Sequence, residues 1–217
     1  VIDTSSAVVT ALRPDRRTPG CLVVEVDGER FATLPAEVIT GLELDVGEPL
    51  SSDAWDRLRE AANLEAACRV AVRLLAARAR SEWELRRSLA QRGHDRQAVD
   101  GAIAQLRDRG HVDDAAFADL FARSRLTRGH GAFRVVSDLR RRGVDGALAT
   151  RTVDAVSREL GVDAGDQLRT LVEKRHGQLA GLSPTVRRRR LLAFLGRRGF
   201  RGHEAIEAVD EVVGDAG

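Results

Sequence analysis

A chain of 217 residues with 43% hydrophobic side chains is long enough for one domain or two small ones and supplies a core. Aromatics at 4%, with no tyrosine, make that core mostly Leu, Val, Ile and Ala, and 31% charged residues suit an elongated, helix-rich protein with much surface. A formal charge of only +2 excludes a general polycation, two isolated cysteines exclude a disulfide framework, and no apolar run approaches the roughly 18 residues of a membrane span.

Val1–Ser6 reads as loose, without the charged and apolar regions of a signal peptide, and the missing initiator methionine marks a trimmed or partial end. Val8–Leu12 is apolar and predicts a strand; Arg13–Gly20 predicts a loop. Cys21–Val26, Asp27-Gly28 and Glu29–Leu34 predict a β-hairpin, because Asp-Gly supplies the positive φ angles of a type I′ turn. Pro35 starts a short helix ending near Gly41, and Leu44–Leu50 connects onward. The first fifty residues thus form a small β-rich lobe whose expected role is structural, covering the first helix that follows. Ser51 and Ser52 can cap that helix, with Trp55, Leu58, Ala62, Ala66, Val70, Leu74 and Leu75 as its apolar face. Seven acids against two arginines from Glu43 to Glu65 suit the helix dipole and solubility.

Ser81 and Glu84 form a capping box, Leu85 and Leu89 share a face, and Gly93 fits a helix C-terminus. Asp95 caps the next helix, striped by Val99, Ala102, Ile103 and Leu106 and closed by Gly110. Asp113 or Asp114 caps another, with Phe117, Leu120 and Phe121 expected in the core. After a Thr127–Gly131 loop, Phe133–Arg142 and Asp145–Leu160 repeat the pair, and Gly161 stops the second member. Leu168, Leu171, Val172 and Leu179 mark one more helix, Ser183-Pro184 starts the next with cap and proline in favoured places, and Ile206, Val209 and Val212 mark the last.

The pattern recurs. Leu89-x-x-x-Gly93 matches Leu139-x-x-x-Gly143 and Leu195-x-x-x-Gly199. Eight residues before each glycine stand Leu85, Val135 and Leu191; ten after stand Ile103, Val153 and Val209; thirteen after stand Leu106, Val156 and Val212. Agreement at four apolar offsets in three copies marks an internal helical repeat. The fold class is mainly α: three tandem three-helix repeats forming an elongated, curved array behind the hairpin-containing lobe. The expected divisions are 1–50, 51–110, 111–161 and 162–217.

At these residues the chain also resembles a family, the bacterial regulatory protein RecX, a modulator of the recombinase RecA. Three patterns carry the resemblance: Arg80-Ser81-x-x-Glu84-Leu85 running to Leu89-x-x-Arg92-Gly93; Gly110-His111-Val112-Asp113-Asp114 with Phe117-Ala118; and Arg125, Gly131, Arg134-Val135, Leu139 and Arg142-Gly143-Val144. Phe194-Leu195-x-Arg197-Arg198-Gly199-Phe200 looks like the family's last repeat. The match runs from about Pro14 onward. Ala132 stands where the family usually has proline, His111 where it often has Tyr or Leu, and Asp138 where it usually has Glu.

No catalytic or metal constellation accompanies these motifs. No two of His94, His111, His130, His176 and His203 are four apart, none joins a Cys/His pattern, and Asp113-Asp114 reads as helix capping. Neither a phosphate-binding G-x-x-x-x-G-K nor a nucleophile elbow occurs, so no cofactor, metal or enzymatic activity is expected. Arginines are the remaining signal. Only Lys174 is lysine; genomic codon bias is the bland cause and phosphate recognition by guanidinium the functional one. Seven arginines face one acid between Phe121 and Arg142, and six face none between Gly181 and Phe200. Arg92, Arg142 and Arg198 before the glycines suit helix C-termini, which does not account for four arginines in a row at Arg187–Arg190. Arg86, Arg87, Arg125, Arg134, Arg140, Arg141, Arg187, Arg188, Arg190 and Arg197 are the contact candidates, for phosphate or for an acidic protein surface. Arg188 could instead snorkel along the buried side.

The resemblance implies a non-enzymatic, cytoplasmic, monomeric regulator of recombination and repair, tied to the SOS response. It would bind the RecA filament, touch single- or double-stranded DNA through the backbone, and restrain ATP hydrolysis and strand exchange. A helix-turn-helix transcriptional regulator is the alternative, although no helix shows the Asn/Gln/Ser set usual for base reading; a plain helical scaffold is the third.

Overall fold

The computed structural model describes residues 7–214. The expected loose segment Val1–Ser6 lies outside them. Two compact units divide the chain: residues up to Arg80 with Glu84–Val112, and Ser81–Trp83 with the residues from Asp113 onward. Among the described residues are ten α-helices and one three-stranded antiparallel sheet.

The first unit opens with β1 (Val9–Pro14), β2 (Cys21–Val26) and β3 (Glu29–Pro35) in spatial order β1-β2-β3. Asp27 and Gly28 take φ of 52° and 82°, the two left-handed residues that join β2 to β3. β1 runs two residues beyond the predicted Leu12, because Arg13 and Pro14 pair with Val23 and Leu22. Pro14 is tolerated there since β1 is an edge strand. After α1 (Ala36–Gly41), the 26-residue α2 (Ser52–Ala77) starts at Ser51, whose hydroxyl accepts from the Ala54 N–H at 3.1 Å.

α2 serves two cores. Its first half lays Trp55 and Leu58 against Val9, Val24, Val26 and Leu34 of the sheet, so the lobe does cover this helix. Its second half buries Ala67, Cys68 and Ala71 with Leu85 and Leu89 of α3 (Glu82–Ala90) and Val99, Ala102, Ile103 and Leu106 of α4 (Arg96–Asp108). The buried stripe follows Trp55, Leu58, Ala61, Leu64, Cys68 and Ala71. The expected Ala66 is exposed, since it lies off that line.

The second unit holds α5 (Asp114–Leu126), α6 (Ala132–Arg141) and α7 (Gly146–Glu159) around Phe117, Ala118, Ala122, Leu126, Val135, Leu139, Val153 and Val156. Leu120 is 61% exposed, contrary to expectation. It lies about 200° around the helix from Ala118, on the face opposite the stripe. Then α8 (Ala164–Gly177), α9 (Pro184–Arg198) and α10 (His203–Gly214) enclose Leu168, Val172, Leu191, Leu195 and Val209. Leu179 is buried, but it follows α8 instead of lying within it. Ser183 stands at the N-cap of α9 with Pro184 in the first turn, yet its hydroxyl makes no capping bond.

Three of the four repeat offsets are fully buried in every copy, and the fourth is buried at Leu106 and Val156 but only partly at Val212. Leu85, Val135 and Leu191 are fully buried, as are Leu89, Leu139 and Leu195, and Ile103, Val153 and Val209. Gly93, Gly143 and Gly199 all take positive φ, at 85°, 81° and 92°. The chain is mainly helical, with three three-helix repeats that follow the sheet in sequence.

Candidate functional site

The motif acids prove to be backbone caps. Asp113 Oδ1 accepts from the Ala115 and Ala116 N–H groups at 2.7 and 3.1 Å. Asp114 reaches 32 residues back, accepting from the Glu82 N–H at the head of α3 at 2.8 Å. Burial raises the Asp114 carboxyl above the usual range, against the lowering effect of that N–H. Beside it the buried Ser81 hydroxyl donates to the Arg142 carbonyl oxygen. Among the described residues no three His, Cys, Asp or Glu come together as metal ligands.

The arginines before the repeat glycines are part of the packing. Arg92, exposed and just beyond α3, donates to the Ser88 carbonyl of that helix at 2.8 Å. Arg142 lies 4.9 Å over the Phe121 ring, with Arg125 also stacked on it at 5.0 Å. Arg198 lies 4.8 Å over Phe194, joined by Arg175 at 5.5 Å, and donates to the carbonyls of Arg128 and Gly129 at 2.7 and 3.2 Å. Such guanidinium–ring contacts contribute about 0.5–2 kcal/mol each. They explain phenylalanines at positions otherwise surrounded by cations.

The four consecutive arginines on α9 divide by direction. Arg187 folds back: its guanidinium meets His176 Nε2 at 2.7 Å and the carbonyls of Ala180 and Leu182 at 3.2 and 3.0 Å, closing the α8–α9 loop. Arg188 makes a two-pronged bond to Asp210 of α10, at 2.6 and 3.0 Å, instead of snorkelling along the core. Arg189 and Arg190 are exposed and have no hydrogen-bond or ion-pair partner among the described residues, and the same holds for Arg197. Arg190 and Arg197 stand two turns apart on one helix face.

On α6, Asp138 is shared by Arg134, at 3.1 Å, and Arg141, while Arg140 is exposed and has no ion-pair partner among the described residues. Arg86 pairs with Asp100, and Arg87 is exposed. Of the ten candidates, Arg140, Arg190 and Arg197 therefore present guanidiniums without a hydrogen-bond or ion-pair partner among the described residues.

Two further features escaped the sequence reading. A cleft of about 710 Å³ opens in the second unit, lined by Arg128, Lys174, Arg175, Arg198, Asp163 and Asp166 among others. Phe133 stands 72% exposed on α6. Its position, off the apolar offsets and ten residues before Gly143, was the available signal.

The comparisons with known proteins agree with this arrangement. Family models for the first, second and third three-helix domains of RecX match residues 67–106, 113–152 and 163–209. The regulatory protein RecX of Halorhodospira halophila is 40% identical over 152 residues, covering 68% of this chain and 90% of that protein. That of Amycolatopsis mediterranei is 36% identical over 145 residues, covering 66% and 81%. A crystal structure of regulatory protein RecX superposes with a TM-score of 0.69 over 96% of this chain and 99% of that one, at 18% identity, which bears on the fold alone. With three successive domain matches and relatives aligned over most of their length, the chain belongs to the RecX family of regulatory proteins.

Proposed function

We propose that this protein regulates the recombinase RecA by binding the RecA–DNA filament and restraining its ATP hydrolysis and strand exchange. RecX regulatory proteins are non-enzymatic, so the effect has to come from binding. The observation that carries the reading is the set of guanidiniums left over by the fold, Arg140, Arg190 and Arg197, on a chain with three equivalent helical units. A filament offers the same surface again and again, and several weak contacts on one chain add through effective concentration. The contacts are to phosphate oxygens, acting in the cytoplasm and as a monomer. No helix among the described residues is long and apolar enough to cross a membrane.

The test is RecA ATPase and strand exchange with and without the protein, at two salt concentrations. Both activities should fall. Replacing Arg140, Arg190 and Arg197 by Glu should weaken binding and flatten its salt dependence by about one unit of slope per lost phosphate contact. Unchanged inhibition by the triple variant would make these arginines a solvated face. A loss of filament binding with bare-DNA binding intact would reassign them to acidic residues of the recombinase.

A further inference from the structure

The exposed ring on α6 is a poor fit to a folded helical protein with no unmet task. Phe133 is 72% exposed, whereas Phe117 is buried and Phe121 and Phe194 are covered by arginines. Around it Val136, Ser137, Arg140 and Arg141 line a shallow depression of about 410 Å³. Phe133, Ser137 and Arg140 succeed one another at helical spacing, so ring, small hydroxyl and guanidinium share one face. Asp138 is shared by Arg134 and Arg141 and offsets only one of their two charges, so Arg140, without a partner among the described residues, adds to a face that is already net positive.

The same repeat position is exposed in the other copies. Ten residues before Gly93 stands Trp83, 43% exposed, and ten before Gly199 stands Arg189, also exposed. Phenylalanine and arginine share one property at this place: each offers a flat face on which a base can stack. α6 exposes no second large apolar side chain, so the surface lacks the apolar cluster that forms the core of a protein–protein interface.

We infer that Phe133 is a stacking site for an unpaired base of single-stranded nucleic acid, with Arg140 holding the adjacent phosphate. This rests on the nucleic-acid contact in the reading above and adds a preference: an intact duplex keeps its bases stacked within itself and would engage Arg140 alone.

The experiment uses the full chain and three fluorescein-labelled probes of equal length: oligothymidylate, a duplex, and an abasic strand. Phe133→Ala, at an exposed position, should keep its circular dichroism and bind oligothymidylate about tenfold more weakly, with duplex binding within about twofold. The abasic strand should bind parent and variant alike. Phe133→Trp should restore single-strand affinity, with indole emission quenched on binding. Equal loss on strand and duplex, unchanged single-strand affinity in Phe133→Ala, or no single-strand binding by the parent would each overturn the inference. So would a loss confined to RecA binding, which would make the ring a protein contact. RecA ATPase measured in parallel separates the two readings. Inhibition without single-strand binding defeats stacking and keeps regulation; stacking without inhibition does the reverse.

Discussion

Gly143 and Gly199 differ from Gly93 in what stands opposite them. All three end the middle helix of a repeat with positive φ. A Cβ on Gly143 would lie 2.2 Å from the Trp83 Cβ, and one on Gly199 would lie 2.3 Å from the Arg134 Cβ, whereas a Cβ on Gly93 would meet nothing within 4 Å. One glycine pattern therefore carries two constraints. The backbone turn needs it three times, and close approach needs it twice. At Gly199 the approach is reinforced by the Gly131 N–H donating to the Arg198 carbonyl at 2.8 Å, and at Gly143 by the Ser81 hydroxyl on the neighbouring Arg142 carbonyl. These corners dock onto the head of a helix, and the Gly93 corner does not.

Substitution by alanine should expose the difference most strongly. Gly143→Ala and Gly199→Ala combine the strain of a left-handed residue, about 1–2 kcal/mol, with overpacking against a Cβ, about 1–3 kcal/mol. Urea unfolding followed by circular dichroism should show each losing about 3 kcal/mol. Next comes Ser81→Ala, which takes the hydroxyl donor from the buried junction and should cost about 1–3 kcal/mol for the carbonyl left behind. Gly93→Ala should cost only the backbone strain, about 1 kcal/mol. If it costs as much as Gly143→Ala, close approach is not what separates the corners.

The smallest effect is a pH dependence at the third-repeat corner. His130 lies between Gly129 and Gly131, with Nδ1 buried and without a hydrogen-bond partner among the described residues. Burial, then the charges of Arg125 and Arg198, lowers its pKa below the ordinary 6.5. The unfolded chain therefore takes up the proton more readily. The stability His130 contributes is present above about pH 6.5 and is lost as pH falls below it towards the folded value. Melts between about pH 5 and 8 should show a shallower acid loss in His130→Gln than in the parent. Asp114, whose carboxyl burial pushes upward, acts with the opposite sign and at lower pH, and it is common to both proteins.

Chain-neighbour spacing made most of the fold legible. Apolar residues at fixed distances from three glycines determined which side chains are buried, because a helix brings positions three, four and seven apart onto one face whatever lies beyond it. Asp27-Gly28 determined its turn in the same way, through the φ angles those residues tolerate. The site was less legible, because an arginine's availability depends on partners that only folding supplies. Arg188 meets an acid 22 residues away and Arg187 two loop carbonyls, while Arg190 beside them meets neither. Asp114 reads locally as a cap for its own helix, and tertiary structure gives it the Glu82 N–H of another. The sequence by itself determined three helical repeats with glycine corners and an arginine-rich surface. Tertiary structure decided which corners are closed and which guanidiniums remain free, since local periodicity selects a face and long-range contacts select what covers it.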